Sequence, residues 1–132
     1  MLKALSFSAV FTVGLLGFAM PSQAQPSAIT RTVLQKADLP NTDYETILTL
    51  TSVVVHGDVP RHTHPGIESS YVEAGDGELT VEGQQPRHIK QGDTFMIPPG
   101  VPHSIHAGDQ GMKIVTTYAV MKDKPLATPA PR

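Results

Sequence analysis

The sequence predicts an all-β fold, a sandwich or barrel, on three observations. After residue 25 no segment sustains a 3.6-residue apolar period. β-branched residues gather in short runs, most densely in Thr46 to His56. Clusters of Gly and Pro separate these runs at roughly the eight-to-twelve-residue spacing that marks sandwiches and barrels.

The chain has 132 residues, the length of one domain. Residues 1–24 are expected to be a secretory signal peptide. Lys3 supplies a positive start, Ala4 to Met20 is almost wholly apolar, and Ser22 and Ala24 are the small residues of a cleavage site before Gln25. The competing reading is a membrane anchor. The apolar run is near the short limit of about 18 residues for a span, and the next basic residue is Arg31. The expected location is therefore the periplasm or the cell exterior, with no stable membrane anchor. Residues 25–122 are expected to form the domain. Residues 123–132, with Pro125, Pro129 and Pro131 and few apolar side chains, are expected to be a Pro-rich flexible tail.

Within the domain, Thr30 to Leu34 reads as a first strand, ended by the turn cluster Ala37-Asp38-Leu39-Pro40-Asn41. Thr46 to His56 is the clearest strand, and Gly57-Asp58-Val59-Pro60 reads as a turn. Glu68 to Ala74 follows as a strand, with Gly75-Asp76-Gly77 as a turn or bulge and Glu78 to Val81 as the next strand. Glu82-Gly83 closes a hairpin into Gln84 to Ile89. Thr94 to Ile97 is a short strand, and either Phe95 with Ile97 or Thr94 with Met96 faces an interior cavity as an apolar wall. Pro98 to Pro102 is a stiff corner delivering His103, and Lys113 to Met121 is the last strand.

Composition narrows the function. Without Lys3, nine basic side chains face twelve acidic ones, a net charge of −3 with no basic stripe. Nucleic acid and anionic membrane surfaces are excluded as expected partners. Beyond residue 24 the aromatics are Tyr44, Tyr71, Phe95 and Tyr118, too few for a stacking platform. Cysteine is absent, so disulfides and thiolate metal ligands are ruled out. No Gly-rich loop precedes a helix, so no nucleotide cradle is indicated.

The chemistry concentrates in His62-Thr63-His64-Pro65-Gly66-Ile67-Glu68. On a strand, residues two apart share a face, so His62 and His64 aim at one point. Glu68 keeps the even spacing, with Pro65-Gly66 bending or bulging the strand between. Two imidazoles and a carboxylate converging in this way form a divalent transition-metal pattern, and His103 is a fourth candidate ligand. The other histidines have plainer readings. His56 ends a strand beside a turn, His88 sits in a polar hairpin strand, and His106 lies an odd number of positions after His103, on the opposite face.

Gly57-x4-His62-x-His64-x3-Glu68-x6-Gly75 resembles the first cupin motif, and Gly92-x5-Pro98-x-Gly100-x2-His103 resembles the second. Two positions depart from the pattern: the first spacer is one residue short, and Ala107 stands where the second motif has Asn. The resemblance implies a jelly-roll barrel, that is, a double-stranded β-helix. It also implies a metal site of His62, His64, Glu68 and His103. The ion would be a divalent transition metal such as Fe, Mn, Ni or Zn; imidazole accepts them all, so the ligands do not name it. Glu68 has a second reading, as a hydrogen-bond partner orienting a histidine, which leaves a three-histidine site with one open position. With Glu68 coordinated, a six-coordinate ion keeps two.

The implied function is action on a small molecule, as a dioxygenase-type oxidoreductase with Glu68 as catalytic base. The alternative is a non-catalytic module that binds or senses a small ligand or metal. A metal-independent sugar isomerase is a weaker third, since the ligand set is intact. A homodimer is expected, with apolar positions such as Tyr71 or Ile29 covered by a second copy.

Overall fold

The computed structural model describes residues 28–131, so the expected signal segment lies outside the described residues. Eight strands follow one another: β1 (Ile29–Asp38), β2 (Tyr44–Val53), β3 (Asp58–Thr63), β4 (Gly66–Val81), β5 (Arg87–Lys90), β6 (Thr94–Ile97), β7 (His103–Met121) and β8 (Thr128–Pro129). There is no helix among the described residues. Every pairing is antiparallel.

Two strands are long enough to belong to both layers. The first part of β4 runs between β6 and the last part of β7, with β2 and β1 beyond. The second part of β4 runs between β5 and the first part of β7, with β3 and β8 beyond. The register slips where both strands change layer, between Val72 and Ala74 and between Gly75 and Gly77. Gly75 takes a positive φ of 78° there, a conformation that favours glycine. The result is the expected jelly roll.

Burial follows from one face of each strand meeting the opposite layer. Along β2 every second residue is buried, from Glu45 through Ile47, Thr49 and Thr51 to Val53. The main core joins Val53, Val59 and Val72 to Ile89, Ile105 and Ile114. Phe95 and Ile97 belong to it while Met96 is 66% exposed, which settles which pair on β6 faces inward. A smaller cluster of Ile47, Tyr118 and Val120 lies apart from it. Of the positions expected to meet a second copy, Ile29 packs against the main core and Tyr71 is exposed.

The structure starts β2 at Tyr44 and ends it at Val53 instead of His56, joins the strands expected over 68–74 and 78–81 into β4, starts β5 at Arg87 instead of Gln84, and corrects four further boundaries. β1 runs on to Asp38, with a bulge between Val33 and Gln35. Asp58 to Pro60 is the start of β3 and not a turn. Pro60 has no N–H to give, and the ladder with β7 slips between Val59 and His62 around it. β7 begins at His103, ten residues before the expected Lys113, because pairing with β4 resumes on both sides of the bend at Gly108 to Gly111. The C-terminal segment, expected to be a flexible tail, folds back on the domain. β8 covers the open edge of β3, pairing Thr128 with Thr63 and Pro129 with His62. Ala130 N–H donates to the Arg61 carbonyl at 3.1 Å, and Leu126 packs on the smaller cluster. An uncovered sheet edge is a strong reason for such a segment to order.

Gly75 and Gly92 separate backbone strain from crowding. Both have positive φ, but a Cβ on Gly75 runs into the Gly111 carbonyl, while one on Gly92 meets nothing within 4 Å. Gly92→Ala is expected to cost about 1–2 kcal/mol from the left-handed backbone alone. Gly75→Ala should cost at least about 3 kcal/mol, strain and overpacking together. Chemical denaturation of the two variants checks this, and equal midpoints would contradict the bulge geometry.

Candidate metal centre

The four expected ligands come together, each delivered differently. His62 lies on β3, paired with His103, the first residue of β7. His64 falls just past the end of β3, where Pro65 turns the chain into β4, so the two histidines do not share one strand as expected. Glu68 sits on the buried face of β4. The set thus draws on both layers of the barrel. All four side chains are buried, and one donor atom from each lies within 4.8 Å of the others.

Hydrogen bonds fix which atoms face inward. His62 Nδ1 lies 2.7 Å from the Pro60 carbonyl, His103 Nδ1 3.0 Å from that of Val101, and His64 Nδ1 2.5 Å from that of Leu126. A carbonyl only accepts, so each Nδ1 carries a proton and Nε2 is the inward atom of each ring, a lone pair where the ring is neutral and a donor where it holds a second proton. Those Nε2 atoms point at one another: His62 and His64 are 3.1 Å apart there. Glu68 Oε2 is 2.9 Å from His64 Nε2 and 3.1 Å from His103 Nε2. Three lone pairs and a carboxylate in contact require a cation among them, a proton or a metal ion. The donor set is the one that a divalent transition ion takes, and the backbone carbonyls supply the outer partners that orient ligating histidines.

The electrostatics agree. Burial, with the neighbouring histidines adding to it, pushes His62 down to about 4, so its ring is neutral at neutral pH. Burial alone would raise Glu68, but hydrogen bonds from His103, His64 and Ser70 outweigh it and hold the carboxyl below its usual range. Ser70 Oγ donates to Glu68 Oε1 at 2.7 Å and lies 2.7 Å from Thr116 Oγ1. One carboxylate oxygen is thereby tethered and the other left to the histidines. Burial, and then the charge of Glu68, raise the Tyr118 phenol to about 12, so it stays protonated. Its ring centre lies 4.7 Å from that of His64.

The remaining histidines stay outside. His106 is exposed with Nδ1 2.7 Å from Asp58 Oδ1, His56 lies 3.3 Å from Asp109, and His88 lies 3.7 Å from Asp76. Sequence reasoning missed Ser70, Thr116 and the Leu126 carbonyl. Ser70 keeps even spacing with Glu68, a signal that was available; the carbonyl had none.

A small jelly-roll barrel with a buried nitrogen–oxygen site between its layers defines the class. The cupin domain family model matches residues 49–118, just over half of the chain, and the chain belongs to the cupin family. Over 70 residues it is 33% identical to dimethylsulfoniopropionate lyase DddQ of Ruegeria pomeroyi, covering 52% of this chain and 35% of that protein. The chain thus spans about a third of the length of that curated relative. The crystal structure of the same lyase superposes with a TM-score of 0.61 at 22% identity, covering 67% of this chain and 44% of that one. A cupin-like protein of Thermotoga maritima gives 0.64 at 20% identity, covering 80% and 77%. The polyketide cyclase RemF of Streptomyces resistomycificus gives 0.62 at 22%, covering 80% and 72%. These structural likenesses establish the fold.

The Leu126 carbonyl makes the C-terminal segment a support of His64. Deleting residues 123–132 is expected to weaken binding of a divalent ion by about 10- to 100-fold, the usual effect of losing such an outer partner. Competition with a chromogenic chelator measures this. Unchanged affinity would show that His64 is held without Leu126.

Proposed function

We propose that this cupin is a divalent-metal enzyme acting on a small molecule, with His62, His64, Glu68 and His103 as ligands and Glu68 also as base. The observation that carries the reading is that Glu68, His62 and His103 all line a cavity of about 20 Å³. That is room for about one water, so the carboxylate of the donor set meets the space where a reacting group would sit. The work would be done outside the cytoplasm, a reading supported by the apolar run Ala4 to Met20 and the small residues Ser22 and Ala24.

The favoured reaction is an elimination. The matched part of the chain is similar to a protein named as a lyase, and Glu68 is the carboxylate lining the inner cavity, placed to accept a proton there. Glu68 takes a proton from carbon, the electrons of that C–H bond form a C=C bond, and the leaving group departs with its own bonding pair. A divalent ion held by these residues would polarise a substrate oxygen and make the neighbouring C–H more acidic. Ser70 holds the base in place through Oε1, and Tyr118 keeps its proton against the His64 ring. The dioxygenase chemistry implied by the cupin motifs is the second reading. It draws on the same four donors, which would hold a redox-active divalent ion able to supply dioxygen chemistry beside a bound substrate.

The test is turnover under air and under nitrogen, with metal loading matched between wild type and Glu68→Gln. The panel comprises dimethylsulfoniopropionate, a phenol and a diketone. Wild type should release product without consuming oxygen, and Glu68→Gln should slow by about 100- to 10,000-fold. Turnover only in air would select the dioxygenase. A Glu68→Gln rate equal to wild type would remove Glu68 as base. Saturable binding without turnover in either atmosphere would leave the non-catalytic module.

A further inference from the structure

We propose that Arg31 is the anchor for a carboxylate on the substrate, so that the ligand is a short-chain carboxylic acid. The proposal rests on the small-molecule reading above and deepens it. Arg31 lies on β1, outside the matched residues 49–118, and no motif includes it.

Its place is fixed from three sides. In the register of β1 and β2 the exposed Arg31 stands opposite the buried Thr51, on the side of the sheet that faces the interior. Its Nε lies 3.4 Å from Thr51 Oγ1, and its guanidinium carbon sits 5.9 Å from the centre of the Tyr118 ring. Tyr118 in turn packs against His64. The guanidinium is therefore held one aromatic ring away from the ligand set.

It also stands at a boundary. Arg31, Val59 and His62 line the small inner cavity and, at the same time, an outer pocket of about 290 Å³. The rest of the outer pocket is mainly apolar, walled by Ile29, Pro60, Ala127 and Pro129. Its other cation is engaged: the Arg61 guanidinium pairs with Glu82 and donates to the Pro131 carbonyl at 3.1 Å. Arg31 has no carboxylate partner among the described residues, and its single side-chain hydrogen bond there uses only Nε. The two Nη atoms have no hydrogen-bond partner among the described residues, and a guanidinium fork free in this way matches a carboxylate in two parallel hydrogen bonds.

Size completes the description. The inner cavity admits little more than a reacting head, and the outer pocket lies at the small end of ligand sites, about 300–1,000 Å³. An acid of a few carbons places its carboxylate on Arg31, its stem against Ile29 and Pro129, and its other end toward His62 and Glu68. The competing role for Arg31 is a brace, a cation stacked on Tyr118 that steadies His64.

Calorimetry with butyrate and its uncharged match butyramide, on the full metal-loaded chain, separates the two roles. Wild type should bind butyrate more tightly than butyramide. Arg31→Gln should weaken butyrate about tenfold or more and leave butyramide unchanged, with Arg31→Lys in between because it keeps the charge without the fork. Metal content and melting temperature are read on each variant. Unchanged butyrate affinity in Arg31→Gln overturns the anchor. So does a loss of butyrate affinity that only follows a loss of metal or stability, since that is what a brace predicts. The chelated chain is titrated in parallel. Arg31-dependent butyrate binding that survives chelation upholds the anchor even where the metal-enzyme reading fails.

Discussion

Three imidazoles have one nitrogen each tied to a backbone carbonyl, and the rest of the site depends on that constraint. Once the Pro60, Val101 and Leu126 carbonyls have accepted hydrogen bonds from Nδ1, the Nε2 atoms have no freedom in where they point. They meet beside a buried carboxylate whose second oxygen is held by Ser70. Four electron-rich atoms crowded together out of water are unfavourable by themselves. A divalent cation turns the same crowding into attraction, so the arrangement that looks costly for a bare protein is the one that a metal site needs.

The fold supplies these contacts from separate places. The partners of His62 and His103 are each two residues upstream, so local chain geometry provides them. The partner of His64 is 62 residues downstream and reaches it only because β8 closes the edge of β3. Closing that edge and orienting that histidine are thus one event. The same segment packs Leu126 on Tyr118 and its neighbours and walls the outer pocket with Ala127 and Pro129. An ion bound between the two layers would stabilise the folded chain by mass action, by about 4 kcal/mol at a thousandfold excess over Kd.

The ligand set was legible because side-chain type and spacing carry it: His62, His64, Glu68 and His103 sit at fixed intervals among turn-forming Gly and Pro. The strands of β2 and β6 were legible for the same reason, through β-branched runs and alternation. What could not be read was whatever depends on the backbone alone. A carbonyl at Leu126 has no signature in the residue that bears it. Three prolines made its segment look loose, although a two-residue pairing on an open edge needs few donors. The length of β7 was hidden by Gly108 and Gly111, which bend the strand without ending its pairing. The role proposed for Arg31 could not be read either, because a lone basic residue on a strand says nothing until the register sets it opposite Thr51.

The central claim is that the four inward donors hold one divalent ion and that neighbouring histidines do not. Metal content per chain, measured by elemental analysis on the wild type, His103→Ala and His106→Ala after loading under identical conditions, tests it most directly. His103 is buried with Nε2 toward Glu68, whereas His106 is exposed and turned to Asp58. The account predicts one ion per chain in wild type and in His106→Ala, and a clear loss in His103→Ala. Equal metal in all three, or equal loss in the two variants, would contradict it.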